Sequence, residues 1–221
     1  IVIEKPNELQ MVAEGVRKLG VRPKLGIRVK LSSRGAGHWQ SSGGSRSKFG
    51  LTIPELTHAV NELKENGLLD CVHLLHFHPG SQITNVRKIK SSIIEATRIY
   101  ADLVNMGVPL KVIDVGGGLA VDYTGHRNKE PSSMNYTLQE YANDVVYYIQ
   151  MVCDQEGVPH PRIFSESGRA LTAHHSVLIV PIVGTSQTHV SHAISENRTE
   201  LDMEIAPLAE LAGILEEINS K

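Results

Sequence analysis

The chain has 221 residues, 41% of them hydrophobic and 21% charged, with a formal net charge of −2. That is enough for one large domain with a real core. Near-neutral charge speaks against a nucleic-acid or membrane-surface partner, and no apolar run approaches the roughly 20 residues of a membrane span. Cys71 and Cys153 lie far apart in apolar periodic segments, in no CxxC pattern. They read as buried free thiols, which fits a cytoplasmic setting. The chain opens on IVIEKPNELQ, with no initiator methionine and no signal pattern. It reads as an internal piece of a longer protein, entered where a strand is already under way.

In chain order, IVIE (1–4) is a strand, and Pro6-Asn7 opens a helix that Gly20 closes. KLGIRVKL (24–31) is the next strand, and a polar loop, SSRGAGHWQSSGGSRSKFG (32–50), follows it. Thr52 and Pro54 start a helix that runs to about Asn66. CVHLLHFH (71–78) is a strand and is followed by a long helix over 85–106. KVIDV (111–115) is a strand with a Gly-rich end, residues 119–134 are mostly loop, and Thr137–Glu156 is helix. RIFSE (162–166) is a strand, SGRA begins a turn or short helix, and SVLIVPIVG (176–184) is a further strand.

Strand and helix alternating at this spacing mean parallel βα units. Two architectures suit them, a (β/α)8 barrel and an open doubly wound sheet. About six strands are present where a closed barrel has eight, so a barrel here is incomplete. The divisions read from the sequence are a partial barrel over 1–184, a polar linker over 185–202 and an amphipathic helix within 203–221.

The polar and glycine-rich features all follow strand ends, where both folds place their sites. In LLHFHPGSQ (74–82), His76 and His78 share one strand face, with Leu75 and Phe77 on the other. An HxH pair at a strand end suits zinc in a barrel hydrolase, given further ligands such as Asp114, Glu166, His174 or His175. None of these stands at a diagnostic spacing. The plainer reading is a pair of hydrogen-bonded histidines in a packed strand end.

DVGGGLAVDY (114–123) puts Gly116, Gly117 and Gly118 directly after a buried strand. Such a run is costly in folding entropy and makes sense where backbone N–H groups approach an anion; otherwise it is a tight turn. It is neither GxGxxG nor a Walker loop. SESGRA (165–170) sets Glu166 at a strand end and Arg169 three residues on, with Ser167 and Gly168 between. Arginine suits phosphate through its planar fork; the bland alternative is a Glu166–Arg169 ion pair. A stacking histidine, a serine, a glycine nest, an arginine and a carboxylate fit pyridoxal 5′-phosphate better than zinc.

HFHPGSQ, DVGGGLAVDY and SESGRALTAHHSVL resemble the biosynthetic arginine decarboxylases, pyridoxal-phosphate enzymes of the alanine-racemase-like barrel group. The resemblance also covers SSRGAGHWQSSGGSRSKFGL (32–51) and MNYTLQEYAND (134–144), and runs over about residues 1–184. Ornithine and diaminopimelate decarboxylases share the shorter cores; SGRA and the following His-His favour the arginine branch. The resemblance implies that His78 stacks on the cofactor ring and that Glu166 pairs with the pyridine nitrogen. Ser81, Gly116, Gly117, Gly118 and Arg169 then contact the phosphate, Gly168 belongs to the same cofactor site, and Arg28 lies near the ring.

The implied reaction is loss of the arginine carboxylate as carbon dioxide, giving agmatine for polyamine and spermidine synthesis. Magnesium is often found beside the main cofactor in the family, but the sequence shows no clear site for it. The loop 32–47 resembles a mobile active-site loop near a dimer interface, so a homo-oligomer is implied. The family's Schiff-base lysine belongs to a first barrel strand upstream; Lys5 and Lys30 do not match its motif. The chain alone is therefore expected to be inactive. Pro79 departs from the aliphatic residue usual in relatives and stiffens the turn.

Overall fold

The computed structural model describes residues 1–32, 48–176 and 178–185. Strands β1 (Val2–Ile3), β2 (Leu25–Arg28), β3 (Val72–His76), β4 (Val112–Asp114) and β5 (Arg162–Phe164) form one sheet. Their order is sequential, and every neighbour is parallel to the next. Strand order never reverses, as it does at the switch point of a doubly wound sheet. This is the arrangement of a barrel wall, with a helix following each of the first four strands.

Those helices are α1 (Pro6–Leu19), α2 (Ile53–Glu65), α3 (Val86–Asn105) and α4 (Leu138–Glu156). The sequence signals their ends. Pro6 occupies the first turn of α1, and Gly20 closes it at φ 62°, where a side chain is disfavoured. At α4, the Thr137 hydroxyl accepts from the Glu140 N–H at 3.1 Å, while Glu140 Oε2 accepts from the Thr137 N–H at 2.7 Å. Each group satisfies an end donor that the helix ladder leaves free. Helix α1 packs on α2, and α3 on α4.

The period-2 pattern of the strands divides the sheet into two faces. Ile3, Leu25, Ile27, Leu75 and Ile113 are buried under the helices. On the other face, Val2 and Phe164 stay exposed, and Leu74 and Val112 are only partly covered. Cys71 and Cys153 are buried free thiols, and burial pushes the Cys153 thiol up to about 11. No helix among the described residues is long and apolar enough to cross a membrane.

Two expectations change. The sheet has five strands rather than about six, because residues 178–185 form no strand. Leu178, Ile179, Val180, Ile182 and Val183 are all exposed. An apolar run becomes a strand only where a neighbour completes its ladder, and none of these residues has a ladder partner among the described residues. Several strands are also shorter than read: CVHLLHFH pairs only over Val72–His76, so His78 lies beyond the ladder. The compact unit spans Ile1–Ser176, and Val177–Lys221 is a separate unit. Most of the loop 32–47, most of the linker at 185–202 and the helix at 203–221 lie outside the described residues.

Candidate active site

Parallel strands in sequential order bring all their C-terminal ends to one rim. Register sets the inward residues side by side: Arg28 pairs with His76, and His76 with Asp114. Beneath them, Gly26, Leu74 and Val112 form an apolar tier in the same register. The step from apolar to polar along each strand therefore falls at one level across β2, β3 and β4.

Close polar contacts stitch this tier together. Arg28 Nη1 lies 2.9 Å from Glu4 Oε2, and its guanidinium sits 5.4 Å from the centre of the Phe49 ring. His76 Nδ1 lies 3.1 Å from Asp114 Oδ2. That His76 nitrogen is buried without an aligned hydrogen bond, so its contact with Asp114 is electrostatic rather than a well-directed N–H···O bond. Asp114 Oδ1 accepts the Gly116 N–H at 2.9 Å.

Above this tier the chain turns sharply. Gly116 has φ 65° and Gly118 φ 109°. A Cβ on Gly116 would stand 2.3 Å from the Phe77 carbonyl oxygen and 3.3 Å from His78 Nδ1; one on Gly117 would stand 2.8 Å from the Glu166 carbonyl oxygen. Glycine is thus required twice over at Gly116, by backbone angle and by space. The Gly116 carbonyl accepts from the Glu166 N–H at 2.9 Å, and the Gly118 carbonyl from the Ile83 N–H at 2.9 Å. The glycine turn is the hub joining the ends of β3, β4 and β5.

Helix α5 (Gly168–Thr172) follows Glu166, as the SGRA stretch suggested. Arg169 does not pair with Glu166. Its Nη2 donates to Ser81 Oγ at 3.1 Å and its Nη1 to Tyr123 Oη at 3.1 Å. Ser81 and Arg169, 88 residues apart in sequence, therefore meet at one point. Tyr123 belongs to that point as well, although the sequence of DVGGGLAVDY marks only its glycines and Asp114 as candidates. Gln82, at φ 52°, holds the loop above: its side chain donates to the Val121 carbonyl and accepts from the Val121 N–H. Among the described residues no group of three or more His, Cys, Asp or Glu side chains is placed to hold a metal ion.

Burial pushes the His78 imidazole below the ordinary histidine value, and Arg28 and His76 push the same way; Glu166 and Asp114 partly oppose them. Burial alone would raise the Asp114 carboxyl, but the His76 ring and the Gly116 N–H outweigh it and hold Asp114 low. Both shifts make folding sensitive to acid. Unfolded His78 protonates below about pH 6.5, the ordinary histidine value, while the folded ring resists to a lower pH. Stability from this group is full above pH 6.5 and falls as the pH drops toward the folded value. Asp114 adds a second loss, from the ordinary aspartate value of 3.8 downward. His78→Asn is expected to remove the first loss. Urea midpoints at about pH 7.5 and about pH 5.5 should then differ less in the variant than in the unsubstituted chain; an unchanged difference would refute the assignment.

Residues 1–173 match the family model described as "Pyridoxal-dependent decarboxylase, pyridoxal binding domain". The biosynthetic arginine decarboxylase of Rhodopirellula baltica is 56% identical over 191 residues, covering 86% of this chain and 29% of that protein. The one from Citrifermentans bemidjiense is 54% identical over 186 residues, covering 84% and 29%. This chain thus spans under a third of the curated relatives it matches. The crystal structure of the biosynthetic arginine decarboxylase from Campylobacter jejuni aligns with a TM-score of 0.65 at 43% identity, over 76% of this chain and 27% of that one. Diaminopimelate decarboxylase from Helicobacter pylori, complexed with L-lysine, aligns at 0.63 with 23% identity, over 77% and 40%, a likeness of fold alone. A barrel wall, a glycine hub and a family match over the same residues agree: this chain belongs to the pyridoxal-dependent decarboxylases, through their pyridoxal-binding domain.

Proposed function

We propose that this chain is the cofactor-binding portion of an enzyme that decarboxylates L-arginine to agmatine. The observation that carries the reading is the meeting of Ser81, Arg169 and Tyr123 at one point beside the glycine hub. A phosphate ester needs such a set: a guanidinium fork, hydroxyl donors and a backbone that approaches without side chains. The Phe77 and Glu166 carbonyls crowd Gly116 and Gly117 and keep both free of side chains, so the turn offers bare backbone beside that point.

In this reading Arg169, Ser81 and the Gly116–Gly118 backbone hold the phosphate of pyridoxal 5′-phosphate, with Gly168 at the edge of the same site. His78 offers its ring as a stacking face. Its lowered pKa keeps that face neutral near pH 7, so it does not repel a protonated pyridine. Glu166 would hold a proton at the pyridine nitrogen, and Arg28, paired with Glu4, would approach the ring from β2. Bound there, the cofactor supplies a sink for the electron pair left when a carboxylate departs as carbon dioxide.

Arginine is favoured over ornithine and diaminopimelate because relatives at 54–56% identity bear the arginine name. The enzyme is then a cytoplasmic homo-oligomer serving polyamine synthesis. The test is carbon dioxide release by the full-length protein from carboxyl-labelled amino acids. Arginine should be turned over in clear preference to ornithine, lysine and diaminopimelate. Preference for any of the other three would overturn the substrate, and none with cofactor bound would overturn the reaction.

A further inference from the structure

We propose that Asp114 is a positioning residue whose two carboxylate oxygens tie the glycine turn to the end of β3 and so fix the seat of the His78 ring. The inference rests on the cofactor reading of the same site and extends it to residues beneath the site. Asp114 and His76 are only 8% and 9% exposed. One oxygen of Asp114 takes the Gly116 N–H at 2.9 Å, and the other faces His76 Nδ1 at 3.1 Å. A buried charge that served stability alone would be replaced by an apolar residue at little loss. Here it spans two chain segments that meet the same ring.

The consequence for His78 is geometric. Its Nδ1 lies 3.3 Å from where a Gly116 Cβ would sit, and its Cε1 3.5 Å from the corresponding point on Gly117. The turn therefore forms one wall of the pocket holding the imidazole, and slack in the turn moves that wall. Gly116, at φ 65°, has no side chain to hold the turn itself. Asp114 also bears on the ring through charge. The groups facing His78 are Arg28 from β2, His76 from β3, Asp114 from β4 and Glu166 beyond β5. Those facing Asp114 are His76, His78 and, from α4, Tyr141.

Two variants separate shape from charge. Asp114→Asn keeps an acceptor for Gly116 and removes the charge; Asp114→Ala removes both. In the cofactor-free chain, Asp114→Ala should speed exchange of the Gly116 amide by about tenfold or more while the Val152 amide of α4 is unchanged. Asp114→Asn should lower the His78 titration midpoint further, read from ring resonances, because one of two negative charges facing the ring is gone. Both variants should weaken pyridoxal 5′-phosphate binding by about tenfold. Unchanged Gly116 exchange and unchanged His78 titration would overturn the proposal, and so would equal acceleration of every amide. If Asp114→Ala does not fold, the His78 titration in Asp114→Asn decides. Failure of the unsubstituted chain to bind the cofactor would instead overturn the cofactor reading, and the two cofactor-free readouts would still decide the tie.

Discussion

Gly116→Ala should destabilise the protein by about 3–5 kcal/mol, among the larger losses a single substitution causes. The backbone there has φ 65°, which costs a residue with a Cβ about 1–2 kcal/mol. The rest comes from space: the added carbon would stand 2.3 Å from the Phe77 carbonyl oxygen. Neither the end of β3 nor the end of β4 can yield without breaking ladder bonds. Gly157, which closes α4, is the internal control. It has the same φ of 65°, yet nothing lies within 4 Å of its would-be Cβ. Gly157→Ala should therefore cost only about 1 kcal/mol. Urea unfolding of both variants measures the difference, which is the steric cost at the hub. Equal losses at the two positions would mean that the hub has room it is not thought to have.

Arg169→Ala should weaken binding of a phosphate ester by about 1.5–3 kcal/mol, or roughly ten- to a hundredfold. Its guanidinium is held 3.1 Å from both Ser81 and Tyr123, and in the proposed site the three would share a phosphate oxygen. Arg169 is exposed, so the same substitution should alter folding stability by no more than about 0.5 kcal/mol. Arg169→Lys keeps the charge but loses the planar fork, and should restore only part of the affinity. Titration calorimetry and thermal unfolding on the same samples separate the effects. A fall in stability that matches the fall in affinity would make Arg169 a structural residue.

The βα alternation was legible because apolar runs and helical periods follow different repeats along one chain. Helix ends were legible wherever capping residues marked them, as Gly20 and Thr137 do. Strand order was not, because spacing within a βα unit is the same in a barrel and a doubly wound sheet. The SVLIVPIVG stretch shows the opposite limit: its residues favour a strand, but pairing depends on a neighbour that the stretch itself does not specify. At the site, the glycines, His78, Ser81, Glu166 and Arg169 stood out by residue type after strand ends. Tyr123 did not, since one tyrosine in a polar loop carries no periodicity, and its partner Arg169 lies 46 residues away. Asp114 was noticed as a metal ligand in waiting, yet it faces His76 and the Gly116 N–H.

The proposed function stands or falls with the strand ends holding the phosphate of pyridoxal 5′-phosphate. The most direct measurement is calorimetric titration of the chain with pyridoxine 5′-phosphate, which has the ring and phosphate but no aldehyde to react with surface lysines. Saturable binding at one site, weakened roughly ten- to a hundredfold in Arg169→Ala and absent with unphosphorylated pyridoxine, is the result predicted. No binding, or binding indifferent to the phosphate and to Arg169, would contradict it.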